Sequence, residues 1–129
     1  MPTTTLNVKV PVRLMLDDNI AIGPGKAELL AAVKATGSIS SAARQMGMSY
    51  RRAWMLVETM NACFARPLVA TSTGGRAGGG ALLTEEGEAV LSAYTDMHRE
   101  VLQVATQHMQ KLLKQAPLRP SQETDDSSV

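Results

Sequence analysis

The chain has 129 residues, 44% of them apolar, and its 13 lysines and arginines against 12 aspartates and glutamates leave a net charge of +1. That size suits one small domain with a tail rather than two cores. Four scattered aromatics (Tyr50, Trp54, Phe64, Tyr94) exclude a stacking platform for single strands, no apolar run approaches the ~18 residues of a membrane span, and a lone Cys63 excludes an intramolecular disulfide.

At the N-terminus, Met-Pro-Thr-Thr-Thr lacks the charged and apolar regions of a signal peptide, so a cytoplasmic location with no membrane partner is expected. Leu6, Val8, Val10, Val12, Leu14 and Leu16 alternate with Asn7, Lys9, Pro11, Arg13 and Met15, the period of two of a half-buried strand. Pro11 places that strand at an edge or breaks it. Asp17-Asp18-Asn19 turns the chain toward Ile20-Ala21-Ile22, which predicts a hairpin. Gly23-Pro24-Gly25 breaks the chain before a first helix over 26–36, with Leu29, Leu30 and Val33 on its buried face and Gly37 at its end.

Ser38 is placed to cap a second helix whose apolar positions, Ile39, Ala42, Ala43 and Met46, recur at spacings of three and four. The small alanines allow close helix approach. Gly47 suits a left-handed turn, and Ser49 a second cap, opening a third helix to about residue 65, where Pro67 bars continuation. Ala53, Val57, Met60 and Phe64 form its apolar stripe, leaving Tyr50, Arg51, Arg52, Met55 and Thr59 on other faces. Leu68-Val69-Ala70 and Ala81-Leu82-Leu83 read as short strands flanking a glycine-rich wing that carries Arg76.

Thr84 suits the cap of a last helix, with Glu85, Glu86 and Glu88 where the macrodipole favours carboxylates. Running to residue 115 at ~1.5 Å per residue, it would be about 46 Å long, more than a small domain covers. Two adjoining apolar seams run along it, Val90, Tyr94, Met97, Val101 and Val104 beside Leu91, Leu102, Ala105, Met109 and Leu112, at spacings near those of a coiled coil. They predict a homodimer interface. The predicted organisation is a mostly α fold with small β-hairpins: an N-terminal strand or hairpin (1–22), a winged helix-turn-helix core (23–83), a long dimerisation helix (84–115) and a disordered acidic tail (116–129).

Charge supports a nucleic-acid partner once it is read locally. Residues 38–80 hold Arg44, Arg51, Arg52, Arg66 and Arg76 against Glu58 alone, a balance of +4, whereas the tail beyond residue 116 carries −2. The partner is therefore expected to be double-stranded DNA. Arg51 and Arg52, in the opening turn of the third helix, suit guanine edges in the major groove. Ser40, Ser41 and Arg44 suit phosphates, and Arg76 suits a narrow minor groove.

Other features take plainer readings. The cluster Gly74-Gly75-Arg76-Ala77-Gly78-Gly79-Gly80 lacks the Lys-Ser/Thr of a phosphate-binding loop. His98 and His108, ten residues apart on one helix, are too distant to share a metal within a subunit. Cys63 reads as a packed thiol, and Met46, Met48, Met55 and Met60 as core filler. No nucleophile, base and orienting acid are grouped, so neither an enzyme nor a metal site is expected.

Gly37-Ser38-Ile39-Ser40, Ala42-Ala43, Gly47-Met48-Ser49-Tyr50, Ala53-Trp54, Met60-Asn61, Leu68-Val69, Thr73-Gly74-Gly75, Gly78-Gly79-Gly80, Leu83-Thr84 and Gly87 together resemble the N-terminal domain of ModE-type molybdate-responsive regulators. The likeness covers roughly residues 14–112. It implies a LysR-like winged helix-turn-helix that dimerises through its long flanking helices and binds inverted-repeat operators. By position it places the start of the recognition helix at Ser49-Tyr50-Arg51, with Arg52 beside it, and the wing at Thr73 to Gly80. Full-length members continue into small β-barrel domains that bind the oxyanion, and the sequence in hand has no such segment. The expectation is a stand-alone form with no cofactor, from which no molybdate response is expected on its own. The alternative is an interaction module that heterodimerises with, or titrates, a related full-length regulator.

Overall fold

A computed structural model of the chain describes residues 6–72 and 80–119. Its elements are β1 (Leu14–Leu16), β2 (Asn19–Ile22), α1 (Pro24–Thr36), α2 (Ile39–Gln45), α3 (Tyr50–Cys63), β3 (Val69–Ser72), β4 (Gly80–Leu83) and α4 (Glu85–Gln115). Two units divide the chain. Pro11–His98 forms the larger one, and residues 99–119 of α4 and its C-terminal extension belong with residues 6–10 to the other.

The alternating N-terminal segment forms far less strand than its pattern predicts. Only Leu14–Leu16 pairs, antiparallel to β2, and all three residues are exposed. The turn at Asp17-Asp18, with Asp17 at φ 53°, sets the reason: β2 ends at Ile22 and a helix begins at Pro24, so no returning backbone remains for residues 6–13. Pro24, read as a chain breaker, instead occupies the first turn of α1, where its missing N–H costs nothing and its φ is already helical. The helix thus starts two residues earlier than predicted. Gly37, at φ 73°, terminates it and donates to the Val33 carbonyl at 2.8 Å.

Ser38 caps α2 by accepting from the Ser41 amide at 3.1 Å, and Ser49 caps α3 by accepting from Arg52 at 3.1 Å. Between them Gly47 takes φ 68°, and the Gly47 and Met48 amides close back on the Arg44 and Ala43 carbonyls. Helix α3 stops at Cys63, slightly short of the predicted end, with Phe64 extended. The strands of the second hairpin pair from Val69↔Leu83 to Ser72↔Gly80, shifted by one or two residues from the apolar runs that announced them. Residues 73–79 between them, including all of the glycine cluster but Gly80 and the predicted contacts Thr73 and Arg76, lie outside the described residues, as does the tail from 120.

One core joins these elements in the larger unit. Leu29, Leu30 and Val33 of α1 meet Ile39, Ala42 and Ala43 of α2, Ala53, Val57 and Met60 of α3, and Leu68, Val69, Ala81 and Leu83 of the hairpin. Fully burying each large aliphatic side chain stabilises by about 1.5–3 kcal/mol. The alanines at the α2 and α3 contacts are fully or almost fully buried, so larger side chains there would part the helices. Met60 is core as predicted, Met46 and Met48 pack partly against it, and Met55 is 57% exposed rather than core filler.

The hairpin is fastened on two sides. Ala81 N–H donates to the Gly37 carbonyl at 2.9 Å, tying β4 to the α1–α2 corner. Asn61 at the end of α3 accepts from the Leu68 and Val69 amides at 2.8 and 3.2 Å and donates to the Val69 carbonyl at 3.1 Å. Thr84 caps α4 by accepting from the Gly87 amide at 3.0 Å, and its hydroxyl reaches the Pro67 carbonyl at 2.7 Å.

Candidate nucleic-acid interface

Helix α3 presents its first turns outward. At about 100° per residue, Arg51 and Met55 lie opposite the buried Ala53, Val57 and Met60. Arg52 stands a quarter-turn round, on the flank shared with Leu56 and Cys63. Tyr50 and Trp54 occupy the other flank, packed edge to face with centroids 6.3 Å apart. Trp54 leans on the core while Tyr50 stays 53% exposed. Tyr50, Arg51, Arg52 and Met55, four of the residues singled out in the sequence, thus share one exposed helix tip, although the two arginines do not share a direction. Ser49 is committed to the cap beneath them.

On α2, Arg44 donates from Nη2 to the Ser41 hydroxyl at 3.3 Å, and Ser40 lies 3.0 Å from the capping Ser38 hydroxyl. These short polar side chains cluster where the helix presents its positive dipole end. Arg66, counted in the basic segment, turns the other way and pairs with Glu86 at 3.1 Å, so it adds little to that face.

Lys26 went unremarked in the sequence. It is only 8% exposed, buried with the α1 face that packs against α3. Its i+3, i+4 and i+7 relation to Leu29, Leu30 and Val33 carried the signal. Burial holds its ammonium below the usual lysine range; Cys63 opposes that shift and the Arg52 guanidinium adds to it.

Along α4, Val90, Leu91 and Tyr94 pack against the core of their own unit. The Tyr94 hydroxyl donates to the Val12 carbonyl at 2.8 Å; burial raises its pKa, and Arg13 works against that shift. Met97, Val101 and Leu102 are half-buried, whereas Val104, Met109 and Leu112 are exposed at 54%, 40% and 46%. His98 stacks on Tyr94 with centroids 6.2 Å apart. Among the described residues, no helix is long and apolar enough to cross a membrane.

Residues 25–88 match the family of bacterial regulatory helix-turn-helix proteins, lysR family. The chain is 51% identical over 73 residues to the molybdenum-pterin-binding protein MopB of Rhodobacter capsulatus, a match covering 57% of this chain and 27% of MopB. It is 33% identical over 100 residues to the DNA-binding transcriptional dual regulator ModE of Escherichia coli K12, covering 78% of this chain and 38% of that protein. Its matches therefore span only about a quarter to two-fifths of these relatives' length. A solved structure of a CbnR_DBD–DNA complex aligns with TM-score 0.48 and 20% identity, over 71% of this chain and 95% of that one.

Proposed function

Since residues 25–88 are a lysR-family helix-turn-helix domain and the chain is homologous to ModE regulators, we propose that this protein is a transcription regulator that binds duplex DNA as a homodimer on an inverted-repeat operator. The observation that carries the reading is the tip of α3, where a capped, core-anchored helix holds Arg51 and Met55 outward while its opposite face is buried. A helix so anchored enters the major groove with its N-terminal residues at the base edges. In this reading Arg51 reads a base, Met55 supplies an apolar contact, Arg52 and Tyr50 reach the flanking backbones, and Ser40, Ser41 and Arg44 hold phosphates. Thr73 and Arg76 on the wing take the adjoining groove. The apolar stripe of α4 that is exposed at Val104, Met109 and Leu112 closes the dimer.

Titrating the protein against genomic fragments, including its own promoter, tests this. About eight to ten phosphate contacts per dimer predict a loss of ~10³–10⁵ in affinity between about 50 and 200 mM salt, together with one fragment that competitor DNA does not displace. Weak binding that is the same for every fragment would contradict a regulator and favour an interaction module for a related protein.

A further inference from the structure

Tyr50 is held by more than its own backbone. It is the first residue of α3, directly after the capping Ser49. No preceding helical turn restricts its χ1, so an isolated side chain there would exchange among rotamers. Trp54 lies one turn on. Side chains of a helix lean toward its N-terminus, which brings residue i+4 down over residue i. The two rings accordingly meet edge to face, with centroids 6.3 Å apart and planes at 81°. Trp54 is half-buried and packed against the core, whereas Tyr50 stays 53% exposed. The contact thus runs from the core, through an anchored indole, to an exposed phenol at the helix tip.

We propose that Trp54 is a positioning residue for DNA binding, which holds the Tyr50 ring so that its hydroxyl donates to a backbone phosphate beside the groove that α3 enters. This rests on the DNA reading above, which gives Tyr50 a backbone contact, and adds the residue that aims it. The N-terminal residues of such a helix are the ones that reach the duplex. Tyr50 sits on a flank of α3 rather than on its outward face, so phosphate oxygens are closer to its reach than base edges. Edge-to-face aromatic pairs are favourable beyond the area they bury. A ring fixed in this way before DNA arrives loses little side-chain entropy on binding. A tyrosine hydroxyl carries no charge, so its contact displaces no counterion and can be separated from those of the arginines.

The test is binding to a short random-sequence duplex, which isolates backbone contacts, measured over a range of salt concentrations. Tyr50→Phe should weaken binding about tenfold per subunit, with an unaltered slope of log affinity against log salt. Trp54→Leu should weaken it about two- to tenfold per subunit with the same slope, yet cost nothing further in the Tyr50→Phe protein. Trp54→Phe, which keeps an aromatic ring, should retain most of the affinity. Each variant is compared at a temperature where circular dichroism shows it folded. A tryptophan that only fills the core would lower the melting temperature and leave the affinity of the folded protein unchanged, or weaken both backgrounds equally; either result overturns the positioning role. Trp54 is the one tryptophan in the sequence, so its fluorescence tests the pair even if Trp54→Leu does not fold. Tyr50→Ala should raise its quenching by acrylamide, and unchanged quenching overturns the pairing. Undiminished duplex binding by Tyr50→Phe overturns the phosphate contact while leaving the DNA reading intact. Absence of duplex binding by the unsubstituted protein overturns both.

Discussion

Asn61 shows how one side chain fixes the start of β3 relative to α3. Its amide satisfies two backbone N–H groups and one carbonyl of the strand entering the hairpin, so α3 and β3 move together. Asn61→Ala leaves those groups without partners in a half-buried place and should cost about 2–4 kcal/mol, measured by urea unfolding. Asn61→Asp, which keeps the acceptor and loses the donor, should cost less. In the sequence, Ser38, Ser49 and Thr84 are legible as caps because a cap acts three residues away. Asn61 is not, because its partners lie seven and eight residues on, in a strand whose position depends on tertiary packing. Arg51 and Arg52 are legible as exposed cations. That they point in different directions follows from helical periodicity, but that Lys26 is buried where α1 meets the core requires the packing of the helices.

Elements show the same division. The helices carry local signals, and α1, α2, α3 and α4 all form near their predicted places, whereas the strand pattern of residues 6–16 had no means of supplying a partner beyond the three residues of β1. Alternation marks a strand only where another backbone is present to pair. The junction of β4 with α4 depends on Gly87, where a Cβ would overlap the Leu68 carbonyl that also accepts from the Thr84 amide at 2.9 Å. Gly87→Ala should force α4 away from β3 and lower stability by about 2–4 kcal/mol, with each kcal/mol shifting the melting temperature by about 4–8 °C. An unchanged melting temperature would show that this junction yields more easily than its geometry implies. The motif that includes Gly87 is thus explained by a close backbone approach rather than by turn conformation.

At the scale of the whole molecule, net charge is a poor guide to the partner, because arginines on α2 and α3 are offset by acids elsewhere in the chain. The apolar stripe of α4 divides into two parts. Its first part packs on the core through Val90, Leu91 and Tyr94, and the exposed residues farther along are assigned to the second subunit. Sedimentation equilibrium should therefore show a dimer at micromolar concentration for the unsubstituted protein, and a monomer for Val104→Glu/Met109→Glu with unchanged helix content. The monomer should bind duplex more weakly and with a shallower salt slope, since half the phosphate contacts are lost. Whether the tip of α3 reads sequence is tested by an operator scan with every base pair substituted in turn, comparing the unsubstituted protein with Arg51→Ala. Arg51→Ala should lose about 1–3 kcal/mol together with the preference at one base position in each half-site. An even loss across all sequences, or none, would contradict it.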